Sequence, residues 1–465
     1  MRRFLPVLGL VALCGCTMGP NYKRPQIAVP GTFRGATASE EAKASLAETK
    51  WQDLFPDPVL NQMVSRALLN NFDLGIAAER VEQARAQLGI TRANQLPFLD
   101  GQSGLTASRS SSVGSNTFVA AGTPLRATYT AIGAALNWEL DLWGRLRRLT
   151  EAARANYLAS EEAQHGVMVS LVGDVMDTYF QLLEQDLELD VSRRTAKTAD
   201  ESLRIVKLRR DRGAATGLDV QQAQQLVYTA GASIAAAQRA IEQTENQLSL
   251  LQGSVPDAQA RGRKLDEIPV PLQAPPGLPS ALLERRPDIR QAEQNLIAAN
   301  AQIGAARALY FPQISLTAFA GGQSRYLSDI ASAPARVYTV APSATQAIFH
   351  GGQIRSQVKL SESQKCELLV AYQKTIYTAL REVSDALVGF DRYREQRNQQ
   401  AQLVKTLDES VRLSDLRYRG GLDSYLQVLD AQRNLFSAQL ELARLSLQER
   451  VAVVQIYRSL GGGWQ

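Results

Sequence analysis

Long hydrophobic runs are missing from this 465-residue chain. The longest apolar stretch, Phe4 to Cys14, is 11 residues, short of the ~20 that a helix needs to cross a bilayer. No membrane-spanning helix is expected. Histidine is scarce: His165 and His350 are the only two, and neither has a cysteine or histidine nearby at metal-ligand spacing. His165 reads as a helix-surface residue, and His350, beside Gly351-Gly352, as part of a strand-to-helix turn. No Gly-x-x-x-x-Gly-Lys-Ser/Thr loop occurs, so a nucleotide-driven step is not encoded here. The residues point to no catalytic centre, no metal site and no dissociable cofactor. Charge of one sign is also lacking, because 51 basic against 46 acidic residues leave a net +5. The clusters Arg145-Arg147-Arg148 and Arg209-Arg210-Arg212 stand among acidic neighbours and read as solvated helix faces, not a nucleic-acid footprint. A hydrophobic content of 45% excludes a disordered chain.

Only three cysteines occur, Cys14, Cys16 and Cys366. Arg2-Arg3, a short apolar stretch and small residues before a break form a secretory signal over residues 1–15. Leu13-Cys14-Gly15-Cys16 resembles a bacterial lipobox. In such signals the Cys16 thiol carries diacylglycerol, cleavage leaves Cys16 first in the mature chain, and Thr17 in place of Asp directs it to the outer membrane. The plainer alternative is an ordinary signal whose cysteine is incidental. Removal of Cys14 leaves Cys366 without a disulfide partner, so it reads as a small buried or semi-buried hydrophobe.

The chain repeats itself. Asp73–Pro97 and Asp288–Pro312 share nine of 25 positions at an offset of 215, among them Gln87/Gln302, Gly89/Gly304 and Arg92/Arg307. Leu203–Gly253 and Val411–Gly461 align at an offset of 208, sharing Arg209/Arg417, Gly213/Gly421 and Gln224/Gln432. The first copy therefore holds seven extra residues between Pro97 and Leu203. The organisation expected is an extended arm over 16–50, a first repeat over 51–253, a proline-rich crossover over 254–286 and a second repeat over 287–465.

Each repeat reads as helix, hairpin and long helical hairpin. Pro97 stops a helix from Leu74 to Leu96, and Ile132, Ala134, Leu136, Trp138 and Leu140 alternate with polar Asn137 and Glu139. Period two marks a strand apolar on one face. The hairpins are expected at about 98–142 and 313–349, with Trp138 and Trp143, or Tyr326 and Tyr338, as candidate interfacial aromatics. Leu146 to Arg212 holds no proline and two glycines, enough for a helix on the order of 100 Å long. Second helices at 219–252 and 424–460 fold back on such rods. In the last one Leu422, Leu426, Leu429, Arg433, Phe436, Leu440, Ala443, Leu447, Arg450 and Val454 keep a heptad rhythm. The fold expected is mainly α with β. About four strands per chain cannot close a transmembrane barrel of at least eight, so a barrel has to be shared among chains. Two surface hairpins on a soluble rod are the alternative.

These residues carry a resemblance. Cys16-Thr17-Met18-Gly19-Pro20-Asn21-Tyr22, Trp51 with Pro56-Asp57-Pro58, Leu282-Leu283-Glu284-Arg285-Arg286-Pro287-Asp288, Leu429-Asp430-Ala431-Gln432-Arg433 and Gly461-Gly462-Gly463-Trp464 span nearly the whole mature chain in order. The chain resembles the outer-membrane factors of tripartite efflux pumps, the TolC/OprM-type channels, within their NodT-like lipoprotein subgroup. The resemblance implies a homotrimer with a shared 12-stranded barrel and an α-helical barrel crossing the periplasm. It also implies a periplasmic adaptor and an inner-membrane RND-type transporter as partners. The duct would let drugs or other small molecules pass without chemistry, and covalent lipid on Cys16 would be the only non-protein group.

Two sets of residues are singled out. The helix pairs reverse near Gly213 and Gly421, and Arg209 and Arg417 precede them at one Arg-x-x-x-Gly spacing. They are expected either to dock the adaptor or to be plain turn chemistry. Leu422, Leu426 and Asp430 share one face of the last helix. By resemblance Leu426 and Asp430 line a closed periplasmic end, with Tyr418 and Arg433 flanking. The alternative makes both leucines seam residues and pairs Asp430 with Arg433. Gln222 stands where the second repeat has Asp430, so a trimer would carry three carboxylates there.

Overall fold

The computed structural model of the protein describes residues 17–34, 45–109, 111, 126–271 and 275–464. The signal over 1–15, the lipidation site Cys16 and residues 35–44 of the expected arm lie outside the described residues. The chain divides into two compact units. One takes in the segment through Pro25, Val81–Ala159 and Ala292–Ala371; the other takes in Gln26–Arg80, Ser160–Gln291 and Tyr372–Gln465.

In order, the main elements are α1 (Pro58–Asn70), α2 (Phe72–Ala93), β1 (Phe98–Arg109), β2 (Arg126–Leu140), α3 (Arg145–Asp211) and α4 (Gly217–Leu251). The second set is α5 (Pro287–Ala308), β3 (Gln313–Ser324), β4 (Arg336–Thr345), α6 (Gln353–Arg419) and α7 (Tyr425–Ser459). The copies match in length: α2 and α5 have 22 residues, α3 and α6 have 67, and α4 and α7 have 35. Starts at 72 and 287 differ by 215, and starts at 145 and 353 by 208. The seven-residue excess lies between Arg109 and Arg145, which are 36 positions apart against 29 between Ser324 and Gln353.

Within the first unit the strands form one antiparallel sheet in the order β1-β2-β3-β4. The two hairpins are thus joined by β2 pairing with β3, a link between repeats that periodicity alone does not disclose. Tyr22 and Arg24 of the N-terminal segment both donate to the Glu293 carboxylate, Arg24 Nε at 2.7 Å. Arg148 is 3% exposed and donates to the Met18 and Gly19 carbonyls and to Asn21 Oδ1 at 2.8 Å. This corrects its reading as a solvated arginine: it satisfies an extended segment that has no ladder of its own. Gly19, at φ +87°, lies so close to Gly304 that a Cβ would come 2.5 Å from the Gly304 Cα.

Within the second unit, Asp57 caps α1, accepting from the Val59 and Leu60 amides, and Pro58 starts the helix where no N–H is needed. Asp57 is fully buried and also accepts from the Tyr179 hydroxyl at 2.8 Å and the Arg263 amide at 3.1 Å. Equivalent junctions serve both repeats. Asn71 Nδ2 donates to the Leu251 carbonyl ending α4 while its Oδ1 caps α2 at the Leu74 amide. At the matching position Arg286 donates to the Ser459 carbonyl ending α7 and to Asp288 in the first turn of α5. These contacts satisfy helix-end groups and place charges favourably against the helix dipoles. A cavity of about 1250 Å³ beside them is crossed by the Arg286–Glu382 and Arg458–Asp174 ion pairs.

Two side chains and one helix pattern depart from expectation. Cys366 is exposed; it lies off the stripe of Ser361, Tyr372, Ile376, Ala379 and Val383 that α6 buries. His165 is not a free surface residue: its ring stacks on Trp464 at 4.5 Å and 22°. The heptad rhythm of α7 is not one buried seam. Leu429, Phe436, Ala443, Arg450 and Val454 are buried and Leu440 and Leu447 half-buried, whereas Leu426 and Arg433, nearest the loop, are exposed. Arg450 tolerates burial because its guanidinium donates to the Ser446 and Ile268 carbonyls, both at 2.8 Å.

Candidate functional site: hairpin loops, open helix face and sheet

The two helical hairpins meet in an apolar cluster of Ala199, Leu203 and Val206 from α3, Val220, Ala223 and Leu226 from α4, Tyr418 from α6, and Tyr425, Val428 and Leu429 from α7. Both loops close alike. Gly213 (φ +74°) and Gly421 (φ +76°) adopt the left-handed conformation that glycine tolerates without steric cost. The Gly213 and Ala214 amides donate to the Arg210 and Arg209 carbonyls, and the Gly421 and Leu422 amides to those of Tyr418 and Arg417. This is the Schellman pattern. It accounts for the two glycines as backbone geometry, with the carbonyl four residues before each one closing its own loop, but it makes no demand for an arginine side chain there.

The arginine side chains diverge. Arg209 reaches the other hairpin, donating to the Tyr418 carbonyl at 2.9 Å with its guanidinium 4.5 Å over the Tyr418 ring. Arg417 turns to its own loop and pairs with Asp423, which pulls the Asp423 carboxyl below its ordinary range. The first repeat has Ala215 at the matching place, so only one loop carries this lock. In the other loop Thr216 and Asp219 form a reciprocal capping box.

Leu426, Asp430 and Arg433 share one open face of α7, whereas Leu422, expected on that face, lies in the loop before the helix begins at Tyr425. The two leucines are 72% (Leu422) and 43% (Leu426) exposed. Among the described residues Asp430 has no ion-pair partner, so Arg433 does not neutralise it. Tyr418 does not join that face. It is buried, 5.4 Å from the Tyr425 ring and edge-on to it, and braces the loops from inside. Leu218, equivalent to Leu426 in the first repeat, is 66% exposed and went unnoticed in the sequence because α4 lacks an obvious heptad rhythm.

The sheet has two chemically distinct faces. Its register sets Leu136 beside Leu99 and Ala318, Trp138 beside Leu316, Leu140 beside Ile314, and Ala318 beside Val340. Directly paired residues share a face, so these side chains form one apolar side. The other side carries Asp100, Gln102, Asn137, Glu139, Ser315, Thr317 and Thr339. Trp143 stacks on Phe311 at 4.8 Å just beyond the strand ends, its Nε1 donating to the Pro312 carbonyl. No helix among the described residues is long and apolar enough to cross a membrane.

An antiparallel sheet apolar on one side and polar on the other, with two duplicated helical hairpins, defines an outer-membrane channel subunit. The sequence profile described as "Outer membrane efflux protein" matches residues 63–254 and 278–462, and the chain belongs to that family. It is 39% identical to the solvent efflux pump outer membrane protein SrpC of Pseudomonas putida, over 99% of this chain and 98% of that one. Outer membrane protein OprJ of Pseudomonas aeruginosa is 38% identical, over 99% and 96%. The open-state crystal structure of the Neisseria gonorrhoeae MtrE outer membrane channel superposes with a TM-score of 0.85 at 31% identity, covering 97% of this chain and 99% of that one. The protein is an outer-membrane efflux channel with the TolC-like fold.

Proposed function

We propose that three copies of the chain build one passive exit duct through the outer membrane. The observation behind this reading is the sheet. It is four strands wide, 10 to 15 residues long, apolar on one face, and ends on both sides in strands whose outer edges have no strand partner among the described residues. Unpaired edges are not tolerated in lipid. Pairing β1 of one copy with β4 of the next closes 12 strands, a permitted barrel size, with the polar face turned to water.

At the hairpin loops, Leu422 and Leu426 supply an apolar constriction and Asp430 a ring of three carboxylates, which together hinder passage and favour cations. The loops at Gly213 and Gly421, with Arg209 and Arg417, meet a periplasmic adaptor that couples the duct to an RND-type inner-membrane transporter. Cys16 carries diacylglycerol and an N-acyl chain that hold the N-terminus to outer-membrane lipid. The duct performs no reaction and needs no cofactor. Relatives named for solvent and antibiotic efflux support small apolar or amphiphilic cargo. Single-channel recording of the purified protein in planar bilayers tests the reading. Discrete conductance steps from SDS-resistant trimers are expected; trimers that never conduct would instead mark a structural rod.

A further inference from the structure

The polar face of the sheet is not a uniform hydrophilic wall. Asp100, Ala135, Phe319 and Thr339 lie directly opposite one another across all four strands, one transverse row. The neighbouring row on one side contains Asn137 and Thr317, and the row on the other contains Gln102, Gly133 and Gly321. A methyl side chain at Ala135 between the carboxylate of Asp100 and the ring of Phe319 leaves a depression of about 400 Å³, with the amides of Gln102 and Asn137 on its rim.

The glycine pair shapes this depression. A Cβ on Gly133 would come 2.8 Å from the Gly321 Cα, and one on Gly321 would come 2.6 Å from the Gly133 Cα. Side chains on this face converge, so the polar face is the concave side of the bend, as glycine in a curved sheet permits. The same imaginary Cβ on Gly133 would also meet the Phe319 Cζ at 2.7 Å. Phe319 therefore lies along the sheet over Gly133 and turns a ring face toward the concave side.

We propose that this depression is a binding site for planar aromatic cations, with the Phe319 ring as stacking platform and the Asp100 carboxylate as counter-charge. Ring quadrupole and carboxylate both favour positive charge. The floor at Ala135, beside the Phe319 ring, admits a planar body and crowds out a bulky tetrahedral cation. Amides on the rim accept or donate to exocyclic amines. Three sites would line each duct, a statement that rests on the reading of the polar face as the wall of a shared barrel.

The test is ethidium binding, followed by fluorescence anisotropy, to full-length protein in detergent, with empty micelles as blank. Saturable binding is expected, weakened about fivefold by Phe319→Leu and by Asp100→Asn. It should be unchanged by Tyr338→Leu on the apolar face and by excess tetraethylammonium as competitor. Equal affinity in all variants, or no saturable binding above the micelle blank, overturns the site. Recording the same preparations in planar bilayers separates the two readings. Conductance with equal ethidium affinities defeats the site alone, whereas the affinity differences without conductance defeat the duct and keep the site.

Discussion

Arg209 of one helical hairpin is bound to Tyr418 of the other, through a 2.9 Å hydrogen bond to its carbonyl and a guanidinium placed 4.5 Å over its ring. Its counterpart Arg417 makes no such bridge and binds Asp423 in its own loop. Arg209→Ala should cost about 1–3 kcal/mol locally, from a hydrogen bond and a half-buried cation–π contact. Hydrogen exchange should then accelerate in both loops, near 206–220 and near 418–429. Arg417→Ala should affect its own loop alone, because its exposed ion pair with Asp423 is screened by solvent. Acceleration confined to the first loop in Arg209→Ala would show that the bridge is not what joins them.

Gly213 and Gly421 separate turn chemistry from docking. Nothing lies within 4 Å of a Cβ built on either, but both have positive φ. Valine at these positions should destabilise the loops by about 1–3 kcal/mol through backbone strain. Asparagine tolerates the conformation and adds a side chain to open space. The Gly213→Asn/Gly421→Asn protein should therefore form normal trimers and fail to restore drug resistance in cells lacking the native channel. Full resistance would remove the docking role.

The open face of α7 yields a third expectation. Leu426→Ala with Asp430→Ala should raise single-channel conductance and make cells permeable to vancomycin, with stability almost unchanged because both residues are exposed. A double variant as tight as wild type places the constriction elsewhere.

Much of this arrangement was readable in the residues, and the unread part has a common cause. Duplication, long helices and one-sided strands are periodic features, and periods survive in a single chain. Arg148 and His165 were misjudged because what covers them is remote in sequence: residues 18–21 for one and Trp464 for the other. Tyr418 flanks the closed end by resemblance, and it packs inside because the loop between α6 and α7 folds its ring edge-on against Tyr425 among the apolar residues of the four helix ends. The pairing of β2 with β3 joins residues nearly 200 positions apart, and no local pattern encodes it.

Two carboxylates on α3, buried Glu184 and half-buried Asp177, make stability depend on pH. Burial pushes Asp177 up to about 7, with the nearby Arg458 charge opposing and Asp174 reinforcing. Glu184 is pushed up to about 8 by burial and then by Glu188. Both shifts mean that the folded chain binds protons more tightly than the unfolded one. Their contribution is complete below their ordinary values of 3.8 and 4.5 and is lost as pH rises through about 7 and 8. The thermal midpoint should fall between about pH 5 and pH 8.5, and Asp177→Asn with Glu184→Gln should flatten that slope. An equal slope in the double variant would assign it to other groups.

The shared barrel is tested most directly by joining its seams. In a Cys366→Ser background, which removes an exposed thiol, one cysteine is placed on β1 between Gly101 and Leu105 and another is moved along β4 between Val337 and Ala341. The two strands are opposite edges of the four-stranded sheet, so a disulfide between them within one chain is out of reach. Oxidation of the membrane-inserted protein should convert it, in at least one register, to covalent trimers on denaturing non-reducing gels. Monomers at every register would contradict the account.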